Sequence, residues 1–316
     1  MEIRLADNVT AVFSELFDML KSDSHFDSER HSVFYYFRGE RNNFECPGAA
    51  MPPNEPPVPG IYRNPSSKLV DHESDIFNEA LRTFPAQFKD DKTTFEILTR
   101  MQHYGYATRL LDVTPKITTA LAMLLSPDGE GEQHIDETGF IHVYRVRSDK
   151  IKYSTGDTVT ALSNLARIKP DHVRMDDLSY LAYECQNERA GFIWMNKDKR
   201  EKVDFQGVSE KLDRDIKKVW CVRPVINNPR IDFQVGEFFL FGCLDGKAKL
   251  DASFEEYDYD DPYAATEGIA RIGVLAISPE AKDEAKQMST YLDIGVERIY
   301  PDFHFHSQAI NERFKK

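Results

Sequence analysis

The 316 residues are 41% hydrophobic and 12% aromatic, which is enough apolar material for one large domain or two ordinary ones. The formal net charge of −13 disfavours a general nucleic-acid binder, which would carry a basic excess, and also disfavours binding to an anionic membrane surface. A local arginine pocket for a small anionic ligand is compatible with this charge.

The sequence shows no sign of a membrane span, an export signal or a metal site. It has no long apolar run, and residues 1–7 carry an acidic residue at once without an apolar stretch. The four cysteines are widely spaced and form no CxxC pair, which predicts neither a zinc site nor a disulfide framework. We therefore expect a cytoplasmic protein without a metal.

The first half of the chain is predicted to be rich in helices. Residues 8–21 repeat apolar residues at helical spacing behind Asn8, which can cap the helix. Residues 31–39 run through aromatic residues into a glycine and predict a strand. The prolines of residues 46–65 predict a loop. Further helices are predicted over 72–88, 91–104 and 116–125, the last with Pro115 in its first turn.

The second half is predicted to be rich in strands. Short helices are expected within 158–186, and a helix capped by Ser278 is expected over 279–292. Strands are predicted over 139–146, 220–224, 238–241 and 272–277. This order predicts an α+β or mixed α/β domain and not a regular doubly wound one. We expect an N-terminal helical segment over 1–29 and one domain over 30–312.

Two polar segments inside apolar runs are the strongest functional signals. Residues 101–115 combine a His, an Arg, an Asp and two Thr with many apolar side chains, and residues 35–40 have the same character. A buried polar group without a partner costs several kcal/mol, so each segment is either a hydrogen-bonded turn or the floor of a site. We expect the two segments to meet, because both carry charges that need partners.

The residues alone leave two interpretations of each candidate open. Arg38 can grip a phosphate through two parallel hydrogen bonds, or it can form an interior salt bridge to Asp112 or Glu73. Gly39 permits a close backbone approach, which favours a ligand. His103 can be a base, a ribose contact or a core histidine bonded to a carbonyl.

The remaining candidates have equally plain structural alternatives. Arg109 and Asp112 stand three residues apart, and an internal ion pair that fixes the turn is expected for Asp112. Thr108 and Thr114 can cap helices, since Thr114 directly precedes Pro115. Gln234 can present an amide to a ligand or lie at a strand edge beside a bulge.

Taken together, these motifs resemble the FRG domain family, which is named for its Phe-Arg-Gly motif. The resemblance rests on Phe37-Arg38-Gly39, on Gln102-His103-Tyr104-Gly105, and on Thr108-Arg109-Leu110-Leu111-Asp112 with Thr114. Residues 230–238 and 294–302 are similar to later parts of the family. The resemblance therefore extends roughly from residue 30 to residue 310.

The FRG family has no firmly established reaction that could be carried over to this chain. However, the Phe37-Arg38-Gly39 motif is similar to the first motif of arginine-type ADP-ribosyltransferases. In those folds the arginine holds NAD near its phosphates, which implies a possible ADP-ribosyltransferase-like fold with NAD as substrate. His103 and Glu237 would then be catalytic, with Glu237 stabilising the ribosyl cation. The usual third motif has Glu two residues after Gln, where this chain has Gly236. The residues expected to bind NAD are Arg38, Gly39, Thr108, Arg109, Asp112, Thr114 and Gln234.

Two functions follow from this resemblance. The first is an NAD-handling enzyme, either an ADP-ribosyltransferase or an NAD glycohydrolase, that acts as a toxin or defence effector. The second is a non-catalytic module that senses a nucleotide or peptide, which the missing Gln-x-Glu spacing favours. The expected partner is a nucleotide or a protein target. If a phosphate is bound, Arg38 and Arg109 should outnumber the nearby carboxylates.

Overall fold

The computed structural model describes residues 2–23, 33–42, 56–63, 69–127, 134–167, 215, 218–226, 236–242, 254–256 and 268–295. The strands are β1 (Glu2–Ala6), β2 (Val33–Glu40), β3 (Leu110–Val113), β4 (Gly139–Arg147), β5 (Ile151–Tyr153), β6 (Val219–Arg223), β7 (Glu237–Phe241), β8 (Phe254–Glu256) and β9 (Ile269–Ile277). The helices are α1 (Val9–Ser22), α2 (Glu73–Thr83), α3 (Thr94–His103), α4 (Ile117–Leu125), α5 (Asp157–Asn164), α6 (Pro279–Gln287) and α7 (Ser289–Leu292).

Two mixed sheets form the frame of the fold. The first has the order β1-β9-β4-β2, with β8 also paired to β9, and β1 and β8 run parallel to β9. The second has the order β3-β7-β6-β5, with β5 parallel to β6. The mixed α and β class predicted from the sequence is therefore confirmed.

The two sheets pack face to face between two groups of helices. Tyr36, Tyr144, Leu111 and Phe239 belong to one buried apolar cluster between the sheets. The outer face of the first sheet packs against α1, α4 and α6, and the outer face of the second sheet packs against α2, α3 and α5. Burial of both faces explains why β7 and β9 are apolar without the alternation of a half-exposed strand.

The N-terminal segment shares the first sheet instead of standing apart from it. The predicted helix is confirmed as α1, and the Asn8 side chain accepts a hydrogen bond from Ala11 N. The sequence analysis did not predict β1, which pairs with β9 across more than 260 residues of chain. No helix within the described residues is long and apolar enough to cross a bilayer.

Two local expectations about helices need correction, and two further expectations cannot be compared with the described residues. The helix after Pro115 begins at Ile117 with Lys116 as its N-cap residue, so neither Pro115 nor Thr114 occupies the predicted position. The predicted helix 279–292 divides at Met288 into α6 and α7, while the Ser278 cap is confirmed. The predicted helical stretch beyond residue 167, and most of the proline-rich loop, lie outside the described residues.

Candidate functional site

The candidate site lies where β2 of the first sheet meets β3 of the second. Phe37 and Thr114 exchange two backbone hydrogen bonds, of 2.7 and 2.9 Å, which join the sheets at this point. Arg38 follows Phe37 directly, and β3 is the edge strand of its sheet, so its outer backbone groups are available to partners. The predicted meeting of residues 33–38 with residues 102–114 is therefore confirmed.

Arg38 reaches from β2 to this edge. Its Nη1 donates to the Asp112 carbonyl oxygen at 2.9 Å and lies 3.9 Å from Asp112 Oδ2, while its Nε donates to Glu40 Oε1 at 3.3 Å. The side chain is 11% exposed, so the guanidinium is held by protein contacts and still touches solvent. Of the internal partners considered for Arg38, Asp112 is found and Glu73 is not, and Glu40 is an additional partner.

Two further arginines surround Arg38 and make the site cationic. The Arg63 guanidinium interacts electrostatically with Arg38, Arg41, Glu40 and Asp112, which gives three arginines against two carboxylates. The pKa of Arg63 is lowered because burial among these groups disfavours its charge and because Arg38 repels it, although its side chain still contacts solvent. We call Arg38, Arg41 and Arg63 the arginine cluster.

Arg63 keeps hydrogen-bonding capacity for a ligand. Its Nε donates to the Val58 carbonyl oxygen at 3.2 Å, and its Nη atoms have no partner among the residues that the structure describes. A guanidinium binds an anion best through parallel N–H groups, which Arg63 can still offer. Arg38 is thus fixed in place, while Arg63 is the more adaptable donor.

A buried carboxylate and a buried imidazole stand behind Arg38. Glu40 Oε2 lies 3.2 Å from His142 Nε2, and His142 is fully buried. Burial alone would raise the pKa of Glu40, but the adjacent His142 and the charges of Arg38 and Arg63 hold it at about 2. Burial lowers the pKa of His142, although the neighbouring Glu40 carboxylate favours the charged imidazole.

This arrangement makes Glu40 a stabilising carboxylate with a defined pH dependence. Its pKa falls from 4.5 when unfolded to about 2 when folded, so its charge stabilises the fold above pH 4.5 and the benefit is lost as pH falls towards 2. Glu40→Gln should therefore lower the free energy of unfolding by about 3 kcal/mol at pH 7. Urea unfolding at several pH values would show the difference from wild type narrowing between pH 5 and pH 3.

The matched control for this prediction is Glu79→Gln, because Glu79 belongs to an exposed pair with Arg82 on α2. That substitution should leave the urea midpoint unchanged at each pH. A loss for Glu40→Gln of the same size at pH 3 as at pH 7 would contradict the electrostatic role and assign the effect to packing.

A chain of hydrogen bonds orients the Asp112 side chain. The Thr108 hydroxyl is fully buried, accepts from Leu110 N at 3.2 Å and donates to Gln102 Oε1 at 2.6 Å. Gln102 Nε2 in turn donates to Asp112 Oδ2 at 2.9 Å. The Gln-His-Tyr-Gly and Thr-Arg-Leu-Leu-Asp motifs therefore work together to hold one carboxylate at the edge of β3.

Gly105 allows the chain to make this connection. It has a φ of +83°, its N–H donates to the Gln102 carbonyl, and Tyr106 N donates to the Met101 carbonyl. This pair of bonds ends α3 in the Schellman arrangement, in which a left-handed residue favours glycine. The turn returns the chain from α3 towards β3, so that Gln102 and Asp112 face each other.

Lys282 of α6 supports the other side of the cluster. Its side chain is fully buried, and Nζ donates to the carbonyl oxygens of Arg41 at 2.9 Å and Glu137 at 2.8 Å, with a third bond to His134 O. Burial lowers its pKa to about 8 despite the attraction of Glu137 and Asp136. Lys282 thereby fixes the backbone that follows Glu40.

Arg109 does not belong to the arginine cluster, which corrects two expectations. Its Nε donates to Glu73 Oε1 at 2.8 Å, its Nη2 contacts Glu73 Oε2, and its Nη1 donates to the Phe241 carbonyl at 3.1 Å. It is therefore not the partner of Asp112, and it is too fully paired for the predicted phosphate contact. The predicted local positive charge is found instead through Arg41 and Arg63.

Glu237 lies in a second buried polar group between the sheets. Its Oε2 accepts from the Tyr36 hydroxyl at 2.6 Å and from Cys221 Sγ at 3.5 Å, and its Oε1 accepts from Arg223 Nε at 3.1 Å. Burial and the neighbouring charges raise the pKa values of Tyr36 and Cys221. Both carboxylate oxygens of Glu237 therefore already accept hydrogen bonds. Its partner Tyr36 lies on the same face of β2 as Arg38, so Glu237 is connected to the candidate site through Tyr36.

The structure also places the remaining candidates. A Cβ on Gly39 would lie 1.9 Å from the Ala120 carbonyl oxygen, so α4 fills the space that we expected for a ligand. Thr114 pairs with Phe37, and its hydroxyl accepts from Lys116 N. His103 ends α3, half-buried, with its ring centroid 6.4 Å from that of Phe238. Gln234 lies outside the described residues.

The sequence analysis missed several contributors to this site. Arg63 lies within the proline-rich stretch of residues 46–65, which predicted only a loop, although an arginine beside Tyr62 was a usable signal. His142 lies within the apolar run of the predicted strand 139–146, a pattern that indicates a buried position and not a functional residue. No three His, Cys, Asp or Glu side chains of the described segments cluster as metal ligands.

Comparison with known proteins supports the family resemblance. Residues 34–128 match the sequence model of the FRG domain. This segment contains the arginine cluster, Gln102 and Asp112, whereas Glu237 and Lys282 lie beyond it. No curated protein and no solved structure matches the chain.

Proposed function

We propose that this protein, which contains an FRG domain at residues 34–128, binds a phosphate-bearing nucleotide at the arginine cluster, with NAD as the first candidate. The observation that carries the proposal is the local charge. Among the residues that the structure describes, Arg38, Arg41 and Arg63 interact with the two carboxylates of Glu40 and Asp112, in a chain whose net charge is −13. A cationic patch on an acidic protein attracts and orients a small anion.

The geometry supports a nucleotide phosphate over a diffuse surface attraction. Arg38 is held on two sides by Glu40 and the Asp112 carbonyl, so little side-chain entropy is lost when it binds. Arg63 is exposed, and within the described part of the chain only its Nε is hydrogen-bonded, to the Val58 carbonyl oxygen. One preorganised and one adaptable guanidinium suit the several oxygens of a diphosphate.

Arg63→Gln should weaken the binding of NAD and of inorganic pyrophosphate by roughly 10- to 100-fold, since a hydrogen bond to a charged group is lost. Isothermal titration calorimetry on the full chain measures this loss, and the affinity of wild type should also fall as salt is added. Arg147→Gln is the matched control, because Arg147 pairs with Val33 at the opposite end of β2 from Arg38. Equal weakening by both substitutions would contradict a site at the cluster.

A second candidate function is NAD cleavage, by ADP-ribosyl transfer or hydrolysis, in a toxin or defence effector. The observation that favours it is that Glu237 bonds to Tyr36, which is two residues from Arg38 on one face of β2. A carboxylate near the ribose could stabilise the ribosyl cation as nicotinamide leaves. Since both Glu237 oxygens are already bonded, we place the binding function first.

The two candidates differ in an activity measurement. If NAD is cleaved, Arg38→Ala should raise the Michaelis constant, and Glu237→Gln should lower turnover by roughly 10²–10³, because a carboxylate that stabilises the transition state is removed. Nicotinamide release at millimolar NAD measures both, and circular dichroism checks that the variants fold. Absence of release by wild type that binds NAD would discard the enzyme and retain the binding module.

A further inference from the structure

The Asp112 carboxylate is positioned in a way that the charge of the arginine cluster does not explain. Its Oδ2 accepts from Gln102 Nε2 at 2.9 Å, while its Oδ1 has no hydrogen-bond partner among the described residues. The side chain is 27% exposed, compared with 11% for Arg38. The carboxylate is therefore held through one oxygen, and part of the side chain is accessible to solvent.

The Asp112 carboxylate is held by a series of side-chain hydrogen bonds that continues into the core. Three side chains act in sequence, because Thr108 fixes the amide oxygen of Gln102 and the amide nitrogen of Gln102 fixes Asp112. Thr108 is fully buried, so the series is anchored in the core. Fixing a side chain in advance lowers the entropic cost of a contact with a ligand.

The carboxylate also restricts which anions fit. An ionised Asp has acceptors only, so it repels phosphate oxygens and attracts hydroxyl or amine hydrogens. A ligand that satisfies both the arginines and Asp112 must carry hydroxyl groups close to its phosphate. Ribose 5′-phosphates have this chemistry, and a carboxylate that accepts from a ribose hydroxyl beside a bound diphosphate is a recurring solution in nucleotide sites.

We propose that Asp112 is the ribose-recognising residue of the site, and that the ligand is a nucleotide with an intact vicinal diol. The inference rests on the proposed nucleotide-binding function and adds the specificity. Asp112 Oδ1 accepts from the diol, Oδ2 stays bonded to Gln102, and Arg38 and Arg63 hold the phosphates. Gln102 and Thr108 are positioning residues that act through Asp112.

The test uses the full chain with ADP and 2′,3′-dideoxy-ADP, measured by calorimetry. Wild type should bind ADP roughly 10- to 100-fold more tightly than the dideoxy compound, since hydrogen bonds to a charged acceptor are lost. Asp112→Asn should weaken ADP binding. It should strengthen binding of the dideoxy compound, because a negative charge beside the phosphate site is removed.

These opposite changes in the affinity for ADP and for dideoxy-ADP distinguish ribose recognition by Asp112 from a purely structural role. An Asn side chain keeps an oxygen for Gln102, and an unchanged melting temperature would confirm that the variant is folded. Weakening of both ligands by Asp112→Asn would overturn the inference, as would equal binding of ADP and dideoxy-ADP by wild type; in the latter case nucleotide binding itself still stands. Failure of wild type to bind either compound would overturn both proposals.

Discussion

Arg109→Met should destabilise the protein by about 3–5 kcal/mol, because Glu73 would be left charged and buried without its partner. Arg109 and Glu73 have side chains only 4% and 7% exposed, and the guanidinium bonds both carboxylate oxygens and the Phe241 carbonyl. The pair ties the start of α2 to the segment that enters β3. Urea unfolding followed by circular dichroism measures the loss.

A double-mutant cycle identifies the cause of that loss. Glu73→Met should also be strongly destabilising, whereas the variant with both substitutions should lose much less than the sum of the two, because no buried charge is left alone. Additive losses would contradict the ion pair as the source. Arg82→Met and Glu79→Met, in an exposed pair on the same helix, form the control cycle and should show no comparable coupling.

Gly39→Ala should destabilise the protein by about 3 kcal/mol or more, because the new Cβ would overlap backbone atoms that cannot rotate away. It would stand 1.9 Å from the Ala120 carbonyl oxygen and 2.8 Å from Leu124 N. Relief requires α4 to move off β2, which would open the apolar cluster under the first sheet. Thermal and urea unfolding both measure this effect.

Gly105→Ala provides the comparison, because it isolates backbone conformation from packing. Gly105 has a φ of +83°, and a Cβ there would meet nothing within 4 Å. Its cost should be about 1–2 kcal/mol, the price of a left-handed conformation for a residue with a Cβ. A smaller loss for Gly39→Ala than for Gly105→Ala would contradict the close packing of α4 on β2.

The packing of Gly39 also shows why the side chain of Arg38 in the Phe-Arg-Gly motif points towards the second sheet. Residues alternate between the faces of a strand, so Phe37 and Gly39 face α4 while Arg38 faces the second sheet. The motif thus combines a packing requirement on one face with a charged group on the other. We had attributed the close approach at Gly39 to a ligand, and the neighbouring element is a helix.

Local patterns in the sequence were sufficient for most elements around the site. The helical spacing behind Asn8, the aromatic strand that ends at Gly39 and the strand that begins at Gly139 all correspond to observed elements. These signals depend on the burial of one side of a segment, which repeats along the chain with the period of the element. The need of buried charges for partners also predicted that the segments of Arg38 and Asp112 would meet.

The choice of partners was decided by tertiary structure. Arg109 stands three residues from Asp112, yet it pairs with Glu73, because β3 directs the Asp112 side chain towards α3 and Gln102. Arg63 and Lys282 reach the cluster from a loop and from a distant helix, and no local pattern connects them to Arg38. The attraction between two charges depends on their distance in space and not on their separation along the chain, so the choice of partner depends on how the elements pack.

The sequence by itself therefore determined most of the helices and strands around the site, which side chains need partners, and the FRG motifs that lie across residues 34–128. The tertiary structure decided which charges compensate one another. It assigned Arg109 and Glu237 to closed internal pairs, and among the described residues it left the Nη groups of Arg63 and one oxygen of Asp112 without a hydrogen bond. The reason is that burial and pairing are properties of the packed sheets, whereas hydrophobic period is a property of each segment.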